Sequence, residues 1–354
     1  MRRTLPREMP FTSTRFGRAS AALLLTLYAC SSCSRLPPTA TSAVDSPDGE
    51  SAKDPSAPAS VHADGATAGP AAPSDASAPL PHGTYRIVIE RPTRVGAKYK
   101  RSVTVTDSRR ETLVDGKTKL KNVDHRIQIK LVVEEEVLAV DALARWQKIK
   151  LTVETFSAAG AKGDEPVVPP GTVMTIERPA TGNDATVTSS SGPLSKDARR
   201  ALDLAIPSGA KSVSDDDIFG TKQPRAAGAS WDIAREVAAR DLATRGVRTS
   251  TAQIAGDTRI LTAREDRGVP CLEMTARMSV KISGVDTMPA GSTIEQGEVT
   301  AEMTGIMPVD IRKMSHRSSS RSGMQLVAKI PVSKSMATLT VESLNVRETV
   351  YEEH

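Results

Sequence analysis

The sequence predicts a mainly β (α+β) fold, built on one large antiparallel sheet with two short helices in mid-domain. Three observations carry this. Alternation of apolar and polar residues recurs along the chain, hairpin turn pairs separate the alternating runs, and the helix-spaced segments fall together in the middle.

The elements follow in order. Tyr85–Glu90 and Tyr99–Thr106 read as short strands. Ile127, Ile129, Leu131 and Val133 alternate with Arg126, Gln128 and Lys130, which makes a strand with one wet face. Ile149, Leu151 and Val153 repeat the pattern, and Val173–Glu177 adds a short strand. Ser195 to Ile206 then carries helix-spaced apolar residues and is stopped by Pro207. Trp231 to Arg245 is the second helix; Ile233, Val237 and Leu242 with Ala234 and Ala238 form its apolar stripe, and Gly246 sits at the C-cap. Strands resume at Arg259–Ala263. Leu272, Met274, Ala276, Met278, Val280 and Ile282 then make a long strand of unbroken period two. Thr293–Met303, Met324–Ile330 and a strand through Leu339 and Val341 complete the sheet. Asp115-Gly116 and Asp266-Arg267-Gly268 are the hairpin signals. Arg94-Val95-Gly96-Ala97-Lys98-Tyr99 and Ala226-Ala227-Gly228-Ala229-Ser230-Trp231 echo each other. Each has a Gly-Ala pair and an aromatic two positions on, so the domain divides into possible halves, 83–190 and 225–354, around a helical middle.

The N-terminus sets the cellular address. Arg2, Arg3, Arg7, Arg15 and Arg18 precede a largely apolar run from Ala19 to Ala29, and Cys30 follows directly. Leu27-Tyr28-Ala29-Cys30 resembles the lipobox of bacterial lipoproteins. That resemblance makes 1–29 a signal peptide and Cys30 the acylated first residue of the mature chain, carrying a palmitate-type anchor into a membrane. The apolar run is far short of the ~20 residues that span a bilayer. A plain secretory signal cut near Ala29 is the alternative, and Met9 is an alternative start. Ser31 after the cysteine is compatible with outer-membrane sorting. From Ser34 to about His82 the chain is Ala, Ser, Pro, Asp and Thr. It lacks the large apolar residues needed to offset ordering, so 30–82 reads as the lipidated cysteine plus a disordered tether, and 83–354 as the β-rich globular domain.

Charge excludes one class of partner. The precursor has 47 Lys+Arg against 42 Asp+Glu, and residues 1–29 hold five arginines and one acid. The remainder has 42 bases and 41 acids, a net of +1, so no basic footprint for nucleic acid survives processing. No catalytic motif appears, the five histidines show no metal-ligand spacing, and no cofactor or metal is implied. Cys271 reads as a lone structural thiol on the polar register of its strand; a bridge to Cys33 is possible but unmotivated. Asp215-Asp216-Asp217 reads as a solvated turn.

Eight of the 11 methionines lie between Met274 and Met336, while Phe, Trp and Tyr total 10 in the chain. Methionine either fills gaps in an aromatic-poor core or lines an adaptable apolar surface. Phe219 to Trp231, with its proline and Gly228-x-x-Trp231, resembles an element of uncharacterised bacterial lipoproteins. Those are distantly similar to half-barrel periplasmic carriers of lipoproteins and lipids. The resemblance implies a curved, clam-like sheet whose concave side is covered by helices, with lipid bound between. On that basis Met274, Met278, Ile282 and Met303 on the sheet, with Val237 and Leu242 on the helix, are the candidate ligand contacts. The expected function is a non-catalytic, membrane-anchored envelope lipoprotein binding a lipid or other apolar ligand. The alternative is a structural or assembly lipoprotein with an envelope protein partner and no small-molecule ligand.

Overall fold

The computed structural model describes residues 83–160, 163–178, 185–208, 213–333 and 335–353. The signal segment, the lipidation site Cys30, Cys33 and the tether lie outside the described residues. Within them the chain forms β1 (Thr84–Tyr85), β2 (Lys98–Asp115), β3 (Thr118–Val140), β4 (Trp146–Gly160), β5 (Gly163–Pro166), β6 (Val173–Glu177) and β7 (Thr186–Ser189). Helices α1 (Lys196–Ala205) and α2 (Asp215–Phe219) follow, then β8 (Arg225–Ala226), β9 (Ser230–Asp232), helix α3 (Arg235–Thr244) and β10 (Val247–Arg248). The last strands are β11 (Ile254–Asp266), β12 (Val269–Lys281), β13 (Gly284–Val285), β14 (Thr293–Pro308), β15 (Arg317–Val332) and β16 (Ser335–Glu353).

Twelve of these strands make one open antiparallel sheet in the order β7-β6-β4-β3-β2-β16-β15-β14-β12-β11-β9, with β5 attached to β4. The order is two meanders side by side. The first runs outward from β2 to β7, the second inward from β9 to β15, and β16 returns to close the seam against β2. That seam pairs Thr338–Glu353 with Val114–Tyr99 across the whole length of the domain. The echo in sequence is a shared turn. Gly96 and Gly228 have φ of 81° and 82°, where a side chain would be strained. In one copy Gly96 N donates to Val137 O and Val137 N to Ala97 O; in the other Gly228 N donates to Ile260 O and Ile260 N to Ala229 O. The same turn therefore launches the first strand of each meander.

Several expected elements are corrected. The strand expected over Tyr85–Glu90 stops after Tyr85, because Ile89 N and Glu90 N donate to the Asp216 carboxylate at 2.7 and 3.0 Å instead of to a ladder. Three α-helices stand in mid-domain where two were expected. The additional one is the Asp215–Asp217 triplet, which forms the first turn of α2 under a Ser214/Asp217 capping box. The second expected helix begins at Arg235, since Trp231 is paired in β9 with Thr258. Gly246 ends it as expected, at φ 75°. Cys271, placed on a polar register, is 1% exposed. The strand is paired there on both sides, with Arg264 and Pro308, and His316 from before β15 lies against the thiol at 3.8 Å.

Alternation decides which side faces inward. Residues paired across the ladders share a face, and one face carries all three apolar clusters. Over the first meander Val103, Leu131, Val153 and Met174 pack beneath α1, whose buried Ala198, Ala201, Leu202 and Ala205 lie at helical spacing. Ser195 caps that helix by accepting from Ala198 N at 3.1 Å. Over the second meander Val280, Leu326, Leu339 and Val341 pack beneath Ile218 of α2, Leu242 of α3 and the β10–β13 pair. The third cluster holds Ile260, Leu272, Met274 and Met307 beneath Ile87 and Ile89.

Between the clusters the inner face is polar. Asn345 Nδ2 donates to Asp107 Oδ1 at 3.2 Å, and Glu111 accepts from Arg109 and Lys121, each at 2.7 Å. His125 lies in this belt. Burial lowers its pKa first, Arg200 of α1 and Arg109 of β2 lower it further, and Asp107 acts oppositely. The folded chain therefore binds this proton less readily than the unfolded one does. Stability is full above the unfolded value near 6.5 and falls as pH drops below it. Urea midpoints measured from pH 8 to 5 should decline, and His125→Gln should flatten the part of that decline between about 7 and 5.5.

Candidate functional site

The six residues expected to contact an apolar ligand do lie on or against the inner face, but in two separate clusters. Met278, Ile282, Val237 and Leu242 belong to the cluster beneath α3, whereas Met274 and Met303 belong to the one beneath Ile87 and Ile89. Their neighbours are the protein's own side chains. Neither of the two cavities described below is lined by any of the six.

The better-formed site is a pocket of about 220 Å³ at one end of the seam. Alternation along β2 turns Tyr99 and Arg101 inward in register with Val103 and Val105. The ladders set Arg101 between Val133 of β3 and Tyr351 of β16, and Tyr99 beside Glu135. β4 contributes Trp146 at its start, and Arg178 follows the last residue of β6. Glu90, Arg91, Arg145, Met314 and Arg347 complete the wall. The rim is aromatic as well as cationic. The Arg178 guanidinium lies 3.4 Å from the Trp146 ring centroid, Arg101 lies 5.2 Å from that of Tyr351, and Tyr99 meets Tyr351 edge-on at 6.1 Å.

Five arginines and two glutamates therefore line a small, largely desolvated space. Arg101 pairs with Glu135 at 3.1 Å, with both side chains under a tenth exposed. Arg145 is held by Asp141 at 2.8 Å, and Asp216 and Asp310 lie near Arg91. Those acids do not fully offset the burial. Burial lowers Arg91 to about 10. It also lowers Arg178 to about 10, helped by the charges of Arg145 and Arg101. Arg101 is pulled down by burial too, but Tyr351 and Glu135 hold it above its usual value. Arg91 and Arg178 spend their terminal nitrogens on backbone carbonyls: Pro308 O at 2.9 Å and Asp310 O for Arg91, Pro207 O at 3.0 Å and Trp146 O for Arg178. The Nε atoms of Arg91, Arg101 and Arg178 are buried without a hydrogen-bond partner among the described residues. An unpaired buried donor costs about 1–3 kcal/mol, and a lining of five arginines against two glutamates gives the pocket itself a cationic character that favours an anion.

A larger groove of about 540 Å³ crosses the opposite face of the sheet, between Ser108, Thr300, Gly323 and Leu344. Its outward arginines, Arg110 and Arg321, lie among Asp124, Glu298 and Glu342. The Arg110–Asp124 pair there is more than 60% exposed on each side. This groove is a solvated dish in the wet face, without the desolvation that gives polar contacts their strength.

Sequence reasoning missed Arg91, Arg101, Arg178 and Tyr351 as site residues. One signal was present. Arg101 follows Tyr99 and precedes Val103 on the inward register of β2, and Glu135 falls between Val133 and Val137 on that of β3. Two opposite charges on apolar registers of consecutive strands mark a buried pair.

No family model matches the chain, and no curated protein matches it. Among solved structures it is similar to lipovitellin, in a structure of its lipid–protein interactions, at 8% identity and a TM-score of 0.29. That match covers 73% of this chain and 25% of the other, so the chain spans about a quarter of the length of lipovitellin. An outer membrane channel from Pseudomonas putida F1 matches at 9% identity and a TM-score of 0.19, over 75% of this chain and 98% of that one. DynF from the dynemicin biosynthesis pathway of Micromonospora chersina matches at 8% identity and a TM-score of 0.16, over 76% and 91%. Among the described residues no helix is long and apolar enough to cross a membrane.

Proposed function

We propose that this protein is a non-catalytic binding protein of the cell envelope, tethered to a membrane through Cys30, whose arginine-lined pocket takes a single anionic group. The observation that carries the reading is that Arg91 and Arg101, both buried, and the half-buried Arg178 line one aromatic-walled space together with Arg145 and Arg347. At about 220 Å³ the pocket is below the usual range of about 300–1,000 Å³ for drug-sized ligands, and it suits one phosphate or carboxylate with little else. Arginine's planar fork matches such groups bidentately. The tether leaves the domain free to reach an anion in solution or on a lipid headgroup.

Calorimetry on the full chain separates these sources, using inorganic phosphate and a short-chain phosphatidic acid below its micelle concentration. Saturable binding of both with similar affinity assigns the pocket to the free anion, and binding of the lipid alone assigns it to a headgroup with its glycerol and chains. Arg178→Gln, and Arg145→Gln at the more exposed rim, should each weaken binding by about tenfold or more, the scale of one charge-assisted hydrogen bond. If neither compound binds, the anion reading is wrong. The structural or assembly alternative then stands, favoured by three apolar clusters already closed by α1, α2, α3 and the Ile87–Ile89 segment.

A further inference from the structure

At the tip of the β11–β12 hairpin two potential metal ligands, Asp266 and Cys271, meet a third, His316, from 45 or more residues further along the chain. Asp266 ends β11, Cys271 lies near the start of β12, and His316 immediately precedes β15. His316 Nδ1 lies 2.6 Å from Asp266 Oδ2 and 3.8 Å from Cys271 Sγ, and the three ligand atoms all fall within 4.8 Å of one another. Cys271 is buried, and the side chains of His316 and Asp266 are 14% and 25% exposed.

The arrangement is not a nucleophile–base–acid relay. Such a relay uses opposite nitrogens of the imidazole, one for the nucleophile and one for the carboxylate. Here sulfur and carboxylate both face Nδ1, so all three groups aim at a common point instead of forming a chain. We propose that Asp266, Cys271 and His316 form a binding site for one divalent transition-metal ion, Zn²⁺ by preference, with a fourth position open to water or an exogenous ligand. The set of one thiolate, one imidazole and one carboxylate suits a borderline-soft ion and disfavours Mg²⁺ or Ca²⁺.

The geometry is close to what the ion demands. Zinc bonds of about 2.3 Å to sulfur and about 2.0–2.1 Å to nitrogen and oxygen place tetrahedral ligand atoms about 3.3–3.6 Å apart. The Asp266–His316 contact must open by about 0.7 Å and the Cys271–His316 contact close by about 0.2 Å, both within reach of side-chain rotation. The backbone under the site is fixed on both sides. His316 N donates to Ile306 O at 3.0 Å, and His316 O accepts from Tyr351 N at 3.0 Å. Arg267, 3.9 Å from Asp266, and the nearby Arg91 and Arg264 would repel a free cation. A doubly charged ion held by one carboxylate and one thiolate is neutral as a unit, which removes most of that repulsion.

The test is a Co²⁺ titration of the full chain carrying Cys30→Ser and Cys33→Ser, so that Cys271 is the sole thiol. A thiolate-to-cobalt charge-transfer band that saturates at one ion per chain and is displaced by Zn²⁺ is the expected result. Cys271→Ser should abolish the band, and His316→Ala should weaken Co²⁺ binding by at least about tenfold. A parallel readout needs no change at the site: Zn²⁺ should raise the Tm of the Cys30→Ser, Cys33→Ser chain, and a chelator should reverse the rise. Absence of both the band and the Tm shift at 100-fold excess metal overturns the proposal. So does a band that survives Cys271→Ser unchanged.

Discussion

Arg101→Met lowers the stability of this protein by about 3–5 kcal/mol, and adding Glu135→Leu restores most of the loss. The pair sits on the inner face at 3.1 Å, with side chains 8% and 4% exposed. Removing the guanidinium alone strands a carboxylate among Tyr99, Tyr351 and the first apolar cluster, where water cannot solvate it. Replacing both members with apolar residues of similar volume removes the charge together with its partner. Urea denaturation followed by far-ultraviolet circular dichroism on the two single variants and the double variant measures the coupling. A single variant as stable as the wild type would mean that the pair is solvated, contrary to its burial. The double variant has a second use. If it folds but no longer binds phosphate, the charges are kept for the ligand and not for stability.

Ending the chain at Ser335 yields no stable soluble monomer. β16 is hydrogen-bonded on both sides, to β15 through Arg317–Val332 and to β2 through Tyr99–Val114. Its removal breaks both ladders and leaves two long unpaired edges in the middle of the sheet, each a template for association. At about 0.5–1.5 kcal/mol net per hydrogen bond, the lost ladders together with buried Ala337, Leu339 and Val341 exceed the 5–15 kcal/mol that a domain of this kind has in hand. Size-exclusion chromatography and circular dichroism of the truncated chain check this. A monomer retaining its β-signal would show that the two meanders fold independently. Internal deletion of β7 is a useful contrast, because β7 lies at a margin of the sheet, pairs only with β6 and has only four residues.

The alternating segments were legible in the sequence because alternation is a local property. Val173–Glu177 coincides with β6, the run through Ile129 lies inside β3, and the run through Met274 lies inside β12 up to Val280, with Ile282 just past the strand's end. Both predicted hairpins form, with Arg267 and Gly268 at positive φ between β11 and β12. The helix ending before Pro207 was equally readable, since its cap, its stripe and its stop lie within a dozen residues. Local patterns failed where a backbone group found a distant partner. The amides of Ile89 and Glu90 bond Asp216 across more than 120 residues, which ends one strand early and gives an acidic triplet a structural task.

The candidate sites divide along the same line. By itself the sequence determined an antiparallel sheet, the side of each long strand that turns inward, and a helical middle, because side-chain period and turn chemistry act over a few residues. Only the tertiary structure decided that β16 lies against β2, that Arg91, Arg101 and Arg178 share one pocket, and that His316 meets Cys271 and Asp266. Each of these brings together at least one pair of positions 45 or more residues apart, and it is fixed by strand order in the sheet. A single sequence specifies strand order through the total free energy of burial, not through any local pattern.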